Sequence, residues 1–415
     1  MVTMGYTNNA ITGFSWQTLQ KGLTAGVTIF KMYCLARLLD PTDFGLFSLT
    51  AIALGVTESL TETGINLTIL QSKQPVNYFI NTAWIVSIGR GVLISLIMLL
   101  LGVGMAEFFQ NPDLTQLIAV AALIPIIKGF INPAIVSWHK DMAFLRESFY
   151  RFSLVIIEAI ASIILAIILN SVWALIGGLL VAAVAEVIIS FWVLELKPKF
   201  KYSVSCANQI FANAKWLTLA TAFHYLNENI DNLLIGKLVG TFNLGIYQNA
   251  YGLSHKLNYE VTKSIHHGTI PIFTRIVDST TRLRQAFTKS LVATSLIVLI
   301  GSAPLLLAPE LIVTWLLGPK WLAVIPLVRI LTLSGLIQSF SSIGYTLFLA
   351  KKSYAIMNLH LVLSLVLMTG LIWLWGSSQG MIGAINGIFW SRLATAPLIL
   401  VGIIYSLKDP KPTHV

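Results

Sequence analysis

Three groups of ionisable residues stand at helical spacing inside long apolar runs. Lys256, Glu260 and Lys263 fall at i, i+4 and i+7, as do His224, Glu228 and Asp231, and Glu58 with Glu62 makes an i, i+4 pair. That spacing puts each group on one stripe of a helix. The lysine stripe, with Lys21, Lys31, Arg90 and Arg392, offers cations and donors to an anionic ligand such as a phosphate. Asp231, with His224, Glu228 and the amides of Asn358 and Asn386, offers the ligands that suit Na⁺ or a carried proton. Paired carboxylates such as Glu58 and Glu62 are the acid–base arrangement of glycosidic-bond cleavage, or else partners for the lysines of the first apolar run.

Each group also has a plainer reading. Glu260 can neutralise Lys256 within one turn, and Lys263 can snorkel to a headgroup layer. Arg90 and Arg392 can form internal ion pairs, and the acidic stripe can be a satisfied polar cluster that holds a bundle together. Lys128 and Arg329 lie near run ends, within snorkelling reach of a membrane face.

The elements that position these residues follow from composition. Of 415 residues, 56% are apolar and 11% charged, whereas a soluble domain carries roughly a quarter charged residues. The mean hydropathy is +0.80. Apolar runs of bilayer-spanning length fall at 12–36, 44–67, 78–106, 114–137, 152–170, 172–195, 216–238, 244–268, 291–317, 324–350, 354–376 and 381–407. The expected fold is therefore an all-α polytopic membrane protein of about twelve spans. The first run lacks a basic leader and a small-residue cleavage site, so it is expected to be a retained helix. Trp16, Trp138, Trp216, Trp315 and Trp321 fall near run ends, where an interfacial aromatic belt is expected.

Charge sorts by connection. The even-numbered connections and the C-terminal tail hold 16 basic residues, among them Lys73, Arg146, Lys199, Arg282 and Lys351. The odd-numbered ones hold Arg37, Lys237 and Lys320. The positive-inside rule then puts the even connections and both termini on the cytoplasmic side. The net charge of +10 is a consequence of topology and does not point to nucleic acid. Cys34 and Cys206 fall on opposite sides of such a bilayer, so no disulfide is expected between them.

The longest polar connection, near 196–215, divides the chain into expected bundles at 1–198 and 199–415. The halves echo one another at an offset of 200: Trp16 matches Trp216, Thr18 matches Thr218, Leu19 matches Leu219, Arg37 matches Lys237, Leu38 matches Leu238, and Gly45 matches Gly245. Parallel repeats of this kind are a known transporter plan, with the substrate path at their interface. The offset also makes Lys31 and Asp231 equivalent, and a salt bridge between them near the outer ends of their helices is expected. The outer connections at 107–113, 170–173, 237–243 and 376–380 are too short for a catalytic domain. A phosphate-binding loop, a zinc-type cluster and a Gly-x-Ser-x-Gly elbow are all missing from the sequence. No cofactor or enzyme activity is expected.

The first hairpin, Ala36-Arg37-Leu38-Leu39-Asp40-Pro41-Thr42-Asp43-Phe44-Gly45, resembles the signature of the O-antigen and exopolysaccharide repeat-unit flippases. These belong to the multidrug/oligosaccharidyl-lipid/polysaccharide exporter superfamily. The likeness continues through Glu62-Thr63-Gly64 with Gln71, then Asn229-Ile230-Asp231-Asn232-Leu233-Leu234-Ile235-Gly236, Leu244-Gly245-Ile246-Tyr247, and Ala250-Tyr251. It closes with Pro271-Ile272-Phe273 and Gly318-Pro319-Lys320-Trp321, so nearly the whole chain is covered in order.

The resemblance implies two pseudo-symmetric six-helix bundles around a central cavity, in a bacterial inner membrane. It implies alternating access that moves an undecaprenyl-pyrophosphate-linked glycan to the periplasmic leaflet, in company with a polymerase and chain-length machinery. Related flippases place the first and eighth spans beside a lateral portal, which makes Lys21, Lys31, Lys256 and Lys263 the implied pyrophosphate ligands. Some relatives bind a coupling cation between spans 7, 11 and 12, where this chain has Asp231, Asn358 and Asn386, with Arg392 as a departure. Glu58 and Glu62 then have sugar hydroxyls as ligands. A multidrug cation exporter of the same superfamily, or a membrane-embedded polysaccharide polymerase or ligase, are the alternative functions. The first would favour an acidic, aromatic cavity; the second would be expected to carry a large basic outer loop.

Overall fold

A computed structural model describes residues 3–61, 64–141, 143–212 and 214–408. The side chains of 3–19, 67, 214–217, 219–220, 255–257, 259–261, 263–264 and 266–267 lie outside that description. The regular elements are all helices, and the described residues contain no strand. The helices are α1 (Thr3–Leu38), α2 (Pro41–Leu60), α3 (Ile65–Gln71), α4 (Val76–Phe109), α5 (Asp113–Ala121), α6 (Leu123–Gly129), α7 (Val136–Lys140) and α8 (Phe144–Leu169). There follow α9 (Trp173–Val193), α10 (Val204–Phe211), α11 (Ala214–Val239), α12 (Thr241–Arg275), α13 (Thr280–Leu307), α14 (Pro309–Leu316), α15 (Ile325–Ala350) and α16 (Tyr354–Ser406).

Among the described residues, seven helices are long and apolar enough to cross a membrane, and an eighth crossing is a bent pair, Asp113–Gly129 with Pro133–Lys140, turned by 65°. One of the seven, α16, is two helices joined at Gly380, whose φ of 65° is the left-handed region where glycine is favoured. Three further helices, α1, α11 and α12, are 36, 26 and 35 residues long. At ~1.5 Å per residue they also exceed the ~30 Å hydrocarbon layer. They carry Lys21 and Lys31, the His224–Asp231 group and the Lys256–Lys263 group. Each of the twelve apolar runs of the sequence overlaps one of these helices, a segment of α16 or the bent pair.

The chain separates into two compact units, Met1–Asn229 and Ile230–Val415. The division lies inside α11. The polar connection before α11 is docked on the first unit. Cys206 and Ile210 of α10 pack against Ile65, Ile69 and Phe79. The backbone N–H of Lys199 donates to Asn81 Oδ1 at 2.7 Å, and that of Ser203 to Thr82 Oγ1 at 3.1 Å. The first half of α11 is then tied to α2, where Thr221 Oγ1 donates to Ser59 O and Tyr225 Oη to Ala51 O.

In the first unit α4 approaches α6 closely at Gly129. A Cβ there would lie 2.9 Å from Ser87 O and 3.0 Å from Ile88 Cα, so only glycine lets the backbones meet. Asn132 organises the bend beyond α6. Its backbone N–H donates to Ser190 Oγ, its amide to Leu196 O, and its Oδ1 accepts from Ala134 N. Asp43 clamps two turns: its carboxylate accepts from Asp40 N at 3.0 Å and from Val172 N at 2.9 Å. The signature of the first hairpin is thus a structural clamp between the α1–α2 and α8–α9 turns.

The second unit packs α12, α13 and α16 on α15, around Phe273, Phe287, Leu347, Phe348, Ile399 and Ile403. The expectation of an interfacial belt needs correction at two tryptophans. Trp321 and Trp138 are buried, the first behind the Gly318 turn and the second edge-on to Tyr150, while Trp315 is exposed. Their apolar area is used inside the units because short 3₁₀ and helical segments fold them back. Trp16 and Trp216 lie outside the described side chains. Cys34 and Cys206 are both free.

Candidate functional site

Inside the first unit a cavity of about 310 Å³ opens between α2, α3, α4, α6, α8 and α9. Three cations, Arg90, Lys128 and Arg151, and two carboxylates, Glu58 and Glu186, line it, with Asn66, Ser87 and Tyr150 between them. Such density of charge within membrane helices is costly, at least ~2.5 kcal/mol per ionised residue on insertion scales, and marks a wet or ligand-bearing space.

The charges are cross-braced. Arg90 donates through Nη2 to Glu58 O at 2.8 Å and through Nε to Thr61 Oγ1 at 3.4 Å, so α4 secures the last turn of α2. Lys128 Nζ stands 3.9 Å from the Glu58 carboxylate, a loose pair with both side chains well exposed to the cavity. Arg151 Nε meets Glu147 Oε1 at 2.8 Å, and the other oxygen of Glu147 meets His139 at 2.6 Å. Tyr150 Oη donates to the backbone carbonyl of Glu186 at 3.4 Å. The Glu186 carboxylate lies in the field of Lys128, Arg151 and Glu58 and makes no ion pair among the described residues.

Of the residues singled out in the sequence, Glu58 and Arg90 therefore line one cavity. Lys128, read as a snorkelling residue, joins them, and so do Arg151 and Glu186. The sequence reading missed the last two because Arg151 looks like a headgroup-layer charge and Glu186 is a lone acid in an apolar run. Lys31 is elsewhere: its Nζ pairs with both oxygens of Glu158 on α8, at 2.7 and 2.9 Å. That partner, also a lone acid in an apolar run, takes the position the sequence reading gave to Asp231. Lys21 is exposed, with no ion pair among the described residues.

The second polar cluster is in the second unit. Asp231, buried, accepts from Tyr247 Oη at 2.5 Å and from Asn232 N at 2.8 Å. Gln248 donates its amide to Asn232 Oδ1, one residue further along the same hairpin. Arg392 lies within electrostatic reach of Asp231 and donates to Ser334 Oγ at 2.9 Å. Asn358 is exposed and Asn386 half-buried, and neither hydrogen-bonds to Asp231 among the described residues. His224 and Glu228 pair with each other at 3.4 Å, both exposed, whereas Asp231 is buried. The helical stripe is real, but its members face different surroundings. Among the described residues no group of His, Cys, Asp and Glu comes together as a metal site. Lys256, Glu260 and Lys263 lie on α12 outside the described side chains, and Glu62 lies outside the described residues.

Comparison with known proteins places this geometry. The solved structure of the lipid II flippase MurJ in an inward closed conformation is similar at a TM-score of 0.69 and 13% identity, over 96% of this chain and 89% of that one. An inward-facing multidrug resistance transporter of the MATE family is similar at a TM-score of 0.64 and 14% identity, over 92% and 93%. The fold is that of these multi-pass helical membrane transporters. The model of the polysaccharide biosynthesis protein family matches residues 34–326, and the chain belongs to that family. The lipopolysaccharide biosynthesis protein WzxC of Escherichia coli (strain K12) is 24% identical over 394 residues, which cover 92% of this chain and 78% of that protein.

Proposed function

We propose that the protein is a flippase that moves undecaprenyl-pyrophosphate-linked oligosaccharide repeat units from the cytoplasmic to the periplasmic leaflet of a bacterial inner membrane. Alternating access driven by a gradient of H⁺ or Na⁺ does the work. The observation that carries this reading is the mixed-charge cavity inside a membrane-spanning unit, where three cations and two carboxylates meet. A lipid chain needs no such site. A polar glycan does, because its hydroxyls and acidic groups lose water on entering the bilayer and need donors and acceptors in return. Membership of the polysaccharide biosynthesis family supports the glycan, and the flippase fold supports the movement.

In this reading Lys21, Lys31, Lys256, Lys263 and Arg392 serve the pyrophosphate end of the substrate, with Glu260 beside Lys256. Asp231, with His224, Glu228, Asn358 and Asn386, serves the coupling ion. The even-numbered connections and both termini are cytoplasmic. A polymerase and its chain-length machinery take the product on the far side. The multidrug reading draws on the same fold, but an organic cation would meet three positive side chains in the cavity. The experiment is depletion of the protein in its host. Lipid-linked repeat units should accumulate in the cytoplasmic leaflet and clear when the wild-type chain is restored. Unchanged levels of both the lipid intermediate and the surface polysaccharide would remove the proposal.

A further inference from the structure

We infer that the cavity of the first unit is a recognition site for one acidic sugar residue, a hexuronate, and not for the pyrophosphate. The inference rests on the flippase reading and names the substrate class of its cavity. Charge decides between the two ligands. Of the three cations in the lining, Arg90 is committed to the end of α2 and Arg151 is shared with Glu147, while Glu58 and Glu186 oppose them. No large positive excess is left to hold a doubly charged group, and a single carboxylate is the anion that Lys128 and Arg151 together can match. A pyrophosphate brings about two negative charges and no donors, so Glu58 and Glu186 would repel it and stay unsatisfied. A sugar ring brings several hydroxyls, each a donor to a carboxylate and an acceptor from an ammonium or guanidinium.

The wall provides for both ends of such a ring. Lys128, held only loosely by Glu58 at 3.9 Å, and Arg151 both act on the region of Glu186 from different helices. A ligand carboxylate bound by these two cations leaves the Glu58 and Glu186 oxygens for vicinal hydroxyls. Tyr150 and Asn66 complete the polar lining, and the Pro125 and Pro133 side of the cavity offers apolar surface to the ring face. Size agrees as well. About 310 Å³ lies at the lower end of the ~300–1,000 Å³ of small-molecule pockets, enough for one sugar residue and too little for an oligosaccharide. Arg90 is committed to the end of α2, through Glu58 O and Thr61, and acts here as a positioning residue.

The test is saturation-transfer NMR on the full chain in nanodiscs, with methyl glucuronoside, methyl glucoside and inorganic pyrophosphate competing. The glucuronoside should receive saturation from the protein, and excess pyrophosphate should not displace it. Lys128→Gln and Arg151→Gln should each weaken its binding by at least about tenfold, the scale of a charge-assisted hydrogen bond, while Lys128→Arg keeps most of it. Each variant is first checked for a monodisperse chromatographic profile. Equal binding of glucoside and glucuronoside, displacement by pyrophosphate, or indifference to both glutamine variants would overturn the inference. A protein that translocates lipid-linked glycans yet shows no glucuronoside preference defeats this inference alone. A protein that translocates none defeats the flippase reading.

Discussion

Tyr247 Oη lies 2.5 Å from Asp231 Oδ2, joining the last third of α11 to the first turns of α12 across their tight hairpin. One residue on in each helix, Gln248 donates to Asn232. The two sequence blocks around Asp231 and Tyr247 are therefore halves of one interaction, and a buried carboxylate is kept in place by a neutral donor. Tyr247→Phe removes that donor. The expected loss is about 1.5–3 kcal/mol of stability, the worth of a hydrogen bond to a charged group, read as a lower midpoint in thermal unfolding. A midpoint within error of wild type would mean that Asp231 finds another partner or is neutral.

Asp231→Asn keeps the shape and the Tyr247 contact but removes the charge. Under the proposed coupling, translocation in proteoliposomes should lose its dependence on an imposed H⁺ or Na⁺ gradient. A variant that still responds to the gradient like wild type would exclude Asp231 as the coupling group.

Lys31 and Glu158 form a part-buried pair within the first unit, at 21% and 18% side-chain exposure. Removing one partner strands the other charge, at a cost of about 3 kcal/mol or more. Glu158→Gln should thus lower the yield of folded protein, and the swap Lys31→Glu with Glu158→Lys should recover most of it. No recovery in the swap would show that the pair depends on its surroundings more than on its own attraction.

Orientation is accessible to thiol labelling. With Cys34 and Cys206 replaced by serine, Ser205→Cys on α10 should resist an impermeant reagent in intact cells, and Ser378→Cys, beside the Gly380 turn, should react. Both positions are exposed on the protein surface. Strong labelling at 205 with protection at 378 would invert the topology.

Much of the architecture was legible because a bilayer imposes a long apolar run on each crossing, and all twelve runs correspond to helices. The polar connection near 196–215 reads as a linker in the sequence, yet Asn81 and Thr82 accept its backbone N–H groups and dock it. Of the cavity, Glu58 and Arg90 were legible as mid-span charges. Lys128 and Arg151 were not, since a charge near a span end has the same sequence signature whether it faces headgroups or turns inward, and Glu186 was not, as a lone acid in an apolar run. Only the bend beyond Gly129 and the close approach of α4 and α6 turn Lys128 inward. Trp321 illustrates the converse, a residue near a span end that the Gly318 turn folds into the core.

The central claim is that this chain moves a lipid-linked glycan through a polar interior built from its charged residues. Purified protein in proteoliposomes, loaded in one leaflet with a fluorescent undecaprenyl-pyrophosphate-linked oligosaccharide that carries a hexuronate, tests it most directly. An impermeant quencher reports the share that reaches the other leaflet under an imposed ion gradient. The account predicts movement well above that in protein-free vesicles, and its loss when Lys128 and Arg151 are both changed to glutamine. Movement no faster than in protein-free vesicles, with the wild-type chain folded and correctly inserted, would contradict it.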